Sequence, residues 1–323
     1  MISGLQIHRY ELRSKSAPNA ATSRRIFPGA LLRTAEGGHG CIHPWPELGD
    51  HPLEAQLASL VAADDGPLPL AARALDCAQI DAEARALGRS LFAGVAIPDS
   101  HYLWRADLAD VDQAAEVAEK AYPAVKIKLG PNPQESLSRV RTVAELVAAP
   151  LRLDFNATPT AAQTMEFFQG LDNRDLRKRI DLIEDPCPYE AEFWASLSAE
   201  SSIELAIDRD FDPSAQPTGA AIGVLKPARD DARLASIGKL PVLVTSYMDH
   251  PLGQMWAAFI ASGLAKSNPA NFRGAGLLTH QHFTGDPALD LVHSDGPRLL
   301  SPGGTGLGFD EYLNSLPWEE LRG

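Results

Sequence analysis

The chain has 323 residues, a formal charge of −13 at pH 7 and a pI near 5.1. That acidity argues against nucleic acid or an anionic membrane as partner, since both select a basic face, and an anionic substrate would need a local positive site. With 45% hydrophobic residues, the composition is that of an ordinary globular protein of one large domain or two. The opening residues show no basic segment followed by an apolar one, and no run approaches about 18 apolar residues, so a cytoplasmic location is expected. Cys41, Cys77 and Cys187 are odd in number and lack CxxC spacing, which predicts buried free thiols.

In chain order, residues 4–12 and 29–34 predict antiparallel strands. Residues 37–46 hold too many Gly and Pro for a regular element and predict a loop. Two helices follow, 52–63 with Leu53, Leu57, Leu60 and Val61 at helical spacing, and the Ala-rich 70–87. Residues 1–98 therefore read as an α+β unit. From residue 99, short strands alternate with helices. Strand 101–105 leads to helix 111–121, the Lys126 strand to 134–148, and the Asp154 strand to 160–171. The Glu184 strand leads to 189–197, and strand 241–246 to 251–264. A weak strand at 276–283 would place His280 and His282 on one face, as rim residues rather than a second metal site. About eight strands and seven helices across 99–295 fit a barrel better than an open sheet. The remainder, 296–323, is a loop-rich tail with one short helix at 309–316, and which part of the molecule it packs on is not legible.

Five apolar runs, 125–128, 151–156, 180–186, 205–208 and 224–227, each carry a charge near the C-terminal end. A rim salt bridge would explain any one of them. Five at matching places point to one shared polar site, because a charge in a buried strand is costly unless paired or metal-bound. The steps from Lys128 to Asp154, Glu184, Asp208 and Lys226 are 26, 30, 24 and 18 residues. An eight-unit barrel predicts roughly 31 each, so the short last connection should be irregular. Residues two apart share a strand face, which directs Lys126 with Lys128, and Asp154 with Asn156, into the barrel.

Asp154, Glu184 and Asp208 would converge at the C-terminal mouth of the barrel, where three hard oxygen donors favour Mg²⁺ or Mn²⁺ over zinc. Asp210 is a second candidate beside Asp208. Lys128 and Lys226 would approach from opposite sides, held partly neutral by nearby positive charge, with Lys126 adding to that effect on Lys128. Such an assembly suits abstraction of a proton α to a carboxylate, the metal neutralising the charge that develops. Trp45 could contact substrate or plug the domain interface. No GxSxG elbow or HExxH helix supports a hydrolase, and the glycines at 303, 304, 306 and 308 read as a turn rather than a phosphate cradle.

The segments KIK, LDFN, IEDP, the Asp208 strand and LKP, in this order, resemble the enolase superfamily over nearly the whole chain. The resemblance implies an α/β fold: a modified TIM barrel, (β/α)7β, with an N-terminal α+β capping domain carrying a substrate-specificity loop. It implies Asp154, Glu184 and Asp208 as Mg²⁺ ligands, Lys128 and Lys226 as acid/base residues, and Lys126 and Asn156 beside the metal. Within the superfamily the chain is most similar to the o-succinylbenzoate synthases of menaquinone biosynthesis. Residues 40–46 resemble their mobile capping loop and 245–253 their substrate-binding segment, implying Ser246, Tyr247 and Trp45 as contacts to a small anionic carboxylate. The implied reaction is a syn dehydration through an enediolate. A racemase, epimerase or cycloisomerase could use the same lysines, while a catalytically silent relative would have no need of both. Two positions depart from the family pattern: Arg209, where Glu is usual, and Cys41 with His43, where an acidic residue and small residues are commoner. Oligomeric state is left open.

Overall fold

The computed structural model describes residues 4–16, 22–62, 66–238 and 240–322. An antiparallel sheet opens the chain, with β1 (Gln6–Ser14), β2 (Ile26–Arg33) and β3 (His39–Ile42) in that order. Helices α1 (Leu53–Val61) and α2 (Pro69–Ala86) pack against it. Both helices fall where the periodicity places them, although residue 63 lies outside the described residues. The loop expected across 37–46 is corrected at β3. Its glycines serve a close approach rather than a turn: a Cβ on Gly38 or Gly40 would stand 1.9 or 2.1 Å from the carbonyl oxygens of Ala78 and Ala74 on α2.

Strands and helices then alternate. In order come β4 (Tyr102–Trp104), α3 (Asp110–Glu119), β5 (Val125–Lys128), α4 (Pro133–Leu146), β6 (Leu151–Asp154) and α5 (Ala161–Gly170). Next are α6 (Arg174–Arg179), β7 (Ile180–Glu184), α7 (Ala191–Ser201), β8 (Leu205–Ile207), β9 (Ile222–Leu225) and α8 (Ala232–Ile237). The series ends with β10 (Val242–Thr245), α9 (Pro251–Ser267) and β11 (Phe272–Gly276). Strands β4 to β11 form one eight-stranded parallel sheet in sequence order. A bridge between Ser100 and Ala275, with the His101 N–H donating to the Ala275 carbonyl at 2.8 Å, closes the first strand onto the last. The result is the α/β barrel expected from the alternation.

Local chemistry sets these boundaries. The Asn132 side chain accepts from the N–H groups of Gln134 and Glu135 to start α4, with Pro133 in its first turn, and Leu137, Val140 and Val143 turn inward. A reciprocal cap between Thr160 and Gln163 starts α5. No helix forms between β8 and β9, in line with the short step from Asp208 to Lys226. Leu182, Ala206, Ile222, Val224 and Leu243 form a separate apolar cluster, all fully buried.

The weak strand expected at 276–283 is also corrected. Strand β11 ends at Gly276, and His280–His282 is one turn of 3-10 helix, so the two histidines share no strand face. The chain turns there because it must leave the barrel. It rejoins the first sheet as β12 (Phe283–Thr284), paired with Ser14 and Arg13. A small hairpin follows, β13 (Ser294–Asp295) with β14 (Arg298–Leu299), then α10 (Asp310–Ser315) and β15 (Glu319–Glu320). Strand β15 pairs with Gln6 and Ile7, which seats the tail on the N-terminal sheet. Buried Asp81 pins it further, accepting from the N–H groups of His39 (2.9 Å) and Leu307 (2.7 Å), while Arg85 bridges Asp81 and Asp310. No helix among the described residues is long and apolar enough to cross a membrane.

Candidate active site

Parallel register brings the charged strand ends together. Lys128 lies opposite Asp154, and Asp154 opposite Glu184, on three consecutive strands. Asp208 follows β8 directly and Lys226 follows β9. One cavity is lined by Lys126, Lys128, Asp154, Asn156, Glu184, Asp208 and Lys226, and also by Trp45, Ser246 and Tyr247. Apart from Asp210, every residue singled out in the sequence as catalytic, metal-ligating or substrate-binding lines this one space.

The charges are paired but not balanced. The Lys126 ammonium, deep in the barrel, donates to Glu184 at 2.7 Å and lies 3.0 Å from Asp154. Burial opposes its charge, yet Asp154 and Glu184 outweigh burial and raise its pKa. Lys226 is hydrogen-bonded to Asp208, whose other oxygen accepts from Arg229 at 3.2 Å. Burial would raise the Asp208 pKa, but Lys226 and Arg229 hold it well below the usual carboxylate range. Glu184 goes the other way. Burial first, then the neighbouring Asp154 charge, push it up to about 7. Lys128 is drawn down to about 8, chiefly by burial, with Lys126 and Lys226 adding repulsion. The sequence predicts that direction from repulsion alone; desolvation is the larger cause.

An all-oxygen donor set on three adjacent strands, with one carboxyl driven towards its neutral form by burial and then by a neighbouring carboxylate, suits a hard divalent cation. Among the described residues no three Asp, Glu, His or Cys side chains stand gathered into a ready metal cage, and the lysine ammoniums hold the carboxylate oxygens instead. Binding would require Lys126 and Lys226 to share those oxygens. The donor chemistry fits a cation, then, with the oxygens contested.

Strained backbone marks the same rim. Asn156, Asp185 and Met248 have φ of 50°, 43° and 52°, a left-handed region that costs non-glycine residues about 1–3 kcal/mol. At Asp185 the strain points the carboxylate at the next strand end, where it accepts from the N–H groups of Asp208 (3.0 Å) and Arg209 (3.1 Å). Asp185 and Arg229 were missed in the sequence, though each stands within three residues of a recognised one. His101, Thr279 and Met248, which also line the cavity, offered no periodic signal. Asp210, the second candidate at the β8 end, is exposed and lies outside the lining.

The roof comes from the first sheet's loop. Trp45 is buried against Phe27, and its indole N–H donates to the Tyr247 carbonyl at 3.0 Å. Trp45 thus both closes the interface and faces the cavity. Asp50 accepts from the Trp45 N–H and from the Tyr247 hydroxyl, each at 2.7 Å, clasping the loop to the segment after β10. The Ser246 and Thr279 hydroxyls lie 2.6 Å apart. Cys41 and His43 point away from the cavity lining, each hydrogen-bonded to the buried Tyr10 hydroxyl.

Comparison with known proteins matches this architecture in both parts. The family model for the O-succinylbenzoate synthase N-terminal domain matches residues 5–84, and the Enolase C-terminal domain-like model matches residues 109–213. Solved structures with the same fold include a dipeptide epimerase from Enterococcus faecalis complexed with Mg and a dipeptide. It has a TM-score of 0.75 and 17% identity over 94% of this chain and 98% of that one. An N-succinyl Arg/Lys racemase from Bacillus cereus gives a TM-score of 0.74 at 20% identity, over 98% and 99%. These structures show the fold; the enolase superfamily itself is shown by the family models together with the full-length sequence relatives, and the protein is an enzyme of that superfamily. Sequence relatives narrow the class. An o-succinylbenzoate synthase from Bdellovibrio bacteriovorus is 31% identical over 97% of each chain, and one from Yersinia enterocolitica is 30% identical over 82% of this chain and 84% of its own. The chain belongs to the o-succinylbenzoate synthase family, whose enzymes are lyases of the dehydratase type.

Proposed function

We propose that the protein dehydrates the succinyl-hydroxycyclohexadiene carboxylate SHCHC to o-succinylbenzoate, as a step of menaquinone biosynthesis in the cytoplasm. The observation that carries this reading is the single cavity in which Lys128 and Lys226 flank three strand-end carboxylates, in a chain similar from end to end to a synthase of that name. Asp154, Glu184 and Asp208 would hold Mg²⁺, or Mn²⁺ in its place, with Lys126 and Asn156 beside it. When bound, the cation neutralises charge gathering on the substrate's ring carboxylate.

Lys128 does the proton work. As a neutral amine, favoured by its buried position, it takes the proton α to the ring carboxylate. The resulting ammonium then returns a proton to the departing hydroxyl on the same face, so that water leaves and the ring becomes aromatic. Lys226, paired with Asp208, faces the developing negative charge from the other side. Trp45 and Tyr247 cover the ring, and Ser246 offers a hydroxyl at the wall. The partner is a small carboxylate, and no nucleic acid or membrane is required.

The position of two lysines at the ends of β5 and β9 also favours a second reading, racemisation or epimerisation of an N-acyl amino acid or dipeptide. The deciding measurement follows the diene absorbance of SHCHC with purified protein and Mg²⁺, with and without EDTA. Fast, chelator-sensitive loss is expected. Absence of turnover by folded, Mg²⁺-supplemented protein, together with exchange of the α-proton of N-acyl amino acids, would replace the first reading by the second.

A further inference from the structure

The segment after β10 carries a buried acid that the chemistry of the cavity does not use. Asp249 is fully buried, and neither of its carboxyl oxygens finds a hydrogen-bond partner among the described residues. It stands between α9 and the cavity-lining pair Tyr247 and Met248. Both members of that pair lie against the catalytic lysines: the Lys128 nitrogen is 3.8 Å from the Met248 sulfur, and the Lys226 nitrogen is 5.9 Å from the centre of the Tyr247 ring. Met248 reaches this position with a left-handed φ of 52°, so something must hold the turn.

A helix start ordinarily offers free N–H groups to an acid beside it, and here they are taken. Pro251 has none, the Leu252 N–H donates to His250 Nδ1 at 3.1 Å, and those of His250 and Gly253 face the Cys41 sulfur. The carboxyl is wedged against the first turn of α9, where a Cβ on Gly253 would stand 2.1 Å from its Oδ2. Glycine is what leaves the slot open. From the first domain, the titratable groups facing Asp249 are Cys41 on β3, Tyr10 on β1 and Cys77 on α2, with His43 behind Tyr10. From its own side comes His250, which reaches Tyr312 and Asp286 beyond. None supplies a positive charge. Burial pushes Tyr10, Cys41 and Cys77 up and His43 down to about 3, and His250 accepts at Nδ1, which a doubly protonated ring cannot do. No lysine or arginine bonds to Asp249 among the described residues. A carboxylate with neither cation nor donor is costly in such a place, and the neutral acid is the form that fits. Burial accordingly pushes Asp249 up to about 7, the N–H groups of Asp249 and Tyr247 offsetting it only in part.

We propose that Asp249 is a positioning residue of the active site: as a neutral acid in the Gly253 slot it seats the turn that sets Met248 against Lys128 and Tyr247 towards Lys226, and ties that turn to the first sheet. Its part in turnover rests on the dehydratase reading; its protonation does not. Ionisation would put an unpartnered charge under the turn, so the seat is firmest in acid and loosens as pH rises towards neutrality.

The experiment compares wild type with Asp249→Asn, which keeps the shape but cannot ionise, and Asp249→Ala, which empties the slot. Folded wild type keeps a proton that the unfolded chain, with an ordinary value of about 3.9, gives up. In urea melts, the folding constant of wild type relative to Asp249→Asn should therefore fall about tenfold for each pH unit from about 4 to 7, then level off. A ratio that does not change with pH overturns the neutral acid. In turnover of SHCHC at pH 6, Asp249→Asn should stay within about threefold of wild type, while Asp249→Ala should raise KM about tenfold with less change in kcat, since Lys128 is untouched. Gly253→Ala, which drives the carboxyl from its slot, should raise KM in the same way and serves if Asp249→Ala does not fold. An unchanged KM in either folded variant, or an asparagine enzyme no better than the alanine one, overturns the positioning role. If wild type does not turn over SHCHC, the dehydratase reading falls and takes that role with it, while the melts, which need no substrate, still decide the protonation of Asp249.

Discussion

At the N-terminal end of the barrel strands, Arg152 donates to Asp181 at 2.7 Å and to the Arg273 carbonyl at 3.0 Å, while Arg273 reaches Glu204 at 2.6 Å and Asp181 at 3.5 Å. His101, which also borders the active-site cavity and so joins the two ends, lies 3.2 Å from Arg152, its pKa drawn well below the ordinary histidine value by burial and then by that guanidinium, so the neutral ring accepts. At the C-terminal end, 3.0 and 2.7 Å contacts join Lys126 to Asp154 and Glu184, yet Glu184 is still driven up to about 7 and Lys128 down to about 8. Both ends bury charge. One closes its ion pairs into a satisfied network, and the other leaves carboxyl and amine groups balanced between two protonation states around a cavity. The difference teaches where chemistry can occur: satisfied pairs hold the barrel shut, and poorly settled ones can exchange protons at neutral pH.

The sharpest way to break this contrast is Lys128→Ala. Removing a general base typically costs about 10²- to 10⁴-fold in rate, and kcat for SHCHC should fall by that much. Thermal stability should hold or rise, because the lost ammonium was itself penalised by burial. Substantial residual turnover would show that Lys128 is not the base.

Arg152→Ala attacks the other end. It strips a buried network of its central cation and should cost about 3–5 kcal/mol in urea unfolding, with kcat per folded molecule largely kept. A variant that is stable but inactive would mean that the lower network tunes the mouth as well. A smaller effect comes from His101. Its folded pKa is depressed while the unfolded value stays near 6.5, so the unfolded state binds the proton first and stability is lost as pH falls below 6.5. Glu184, with a raised folded value, has the opposite sign, so the informative quantity is wild type minus His101→Gln. That difference should shrink by about 1.4 kcal/mol for each pH unit below 6.5, read from urea melts at two pH values. A constant difference would mean that His101 is not held neutral.

Legibility in the sequence follows the same division. Each of the five charged strand ends closes an apolar run, and period-two alternation is enough to aim Lys126, Lys128, Asp154 and Glu184 inward, so the centre of the site was readable. The strands β3 and β11 were not. Glycines stand at or beside both strands where other groups press against them, the α2 carbonyls at Gly38 and Gly40 and the His101 ring at Gly276. Tertiary crowding of that kind imitates a loop in one dimension. Asp185 escaped notice for a different reason: its role depends on a left-handed φ of 43°, which no residue pattern announces.

Arg209 should have the smallest effect, although it is the most visible departure from the family pattern. The link that matters there is its backbone N–H, which donates to Asp185 at 3.1 Å and is supplied by any residue except proline. The guanidinium is exposed and, among the described residues, reaches only the Asn156 carbonyl, at 3.4 Å. Arg209→Glu therefore keeps the contact that positions Asp208 and exchanges one screened surface charge for another. Changes of that kind are usually worth less than about threefold, so kcat/KM for SHCHC should stay within that range at moderate salt. A larger loss that fades as salt is added would show that the field of Arg209 reaches the carboxylates, and that the charge beside Asp208 is part of how this chain balances the mouth of its barrel.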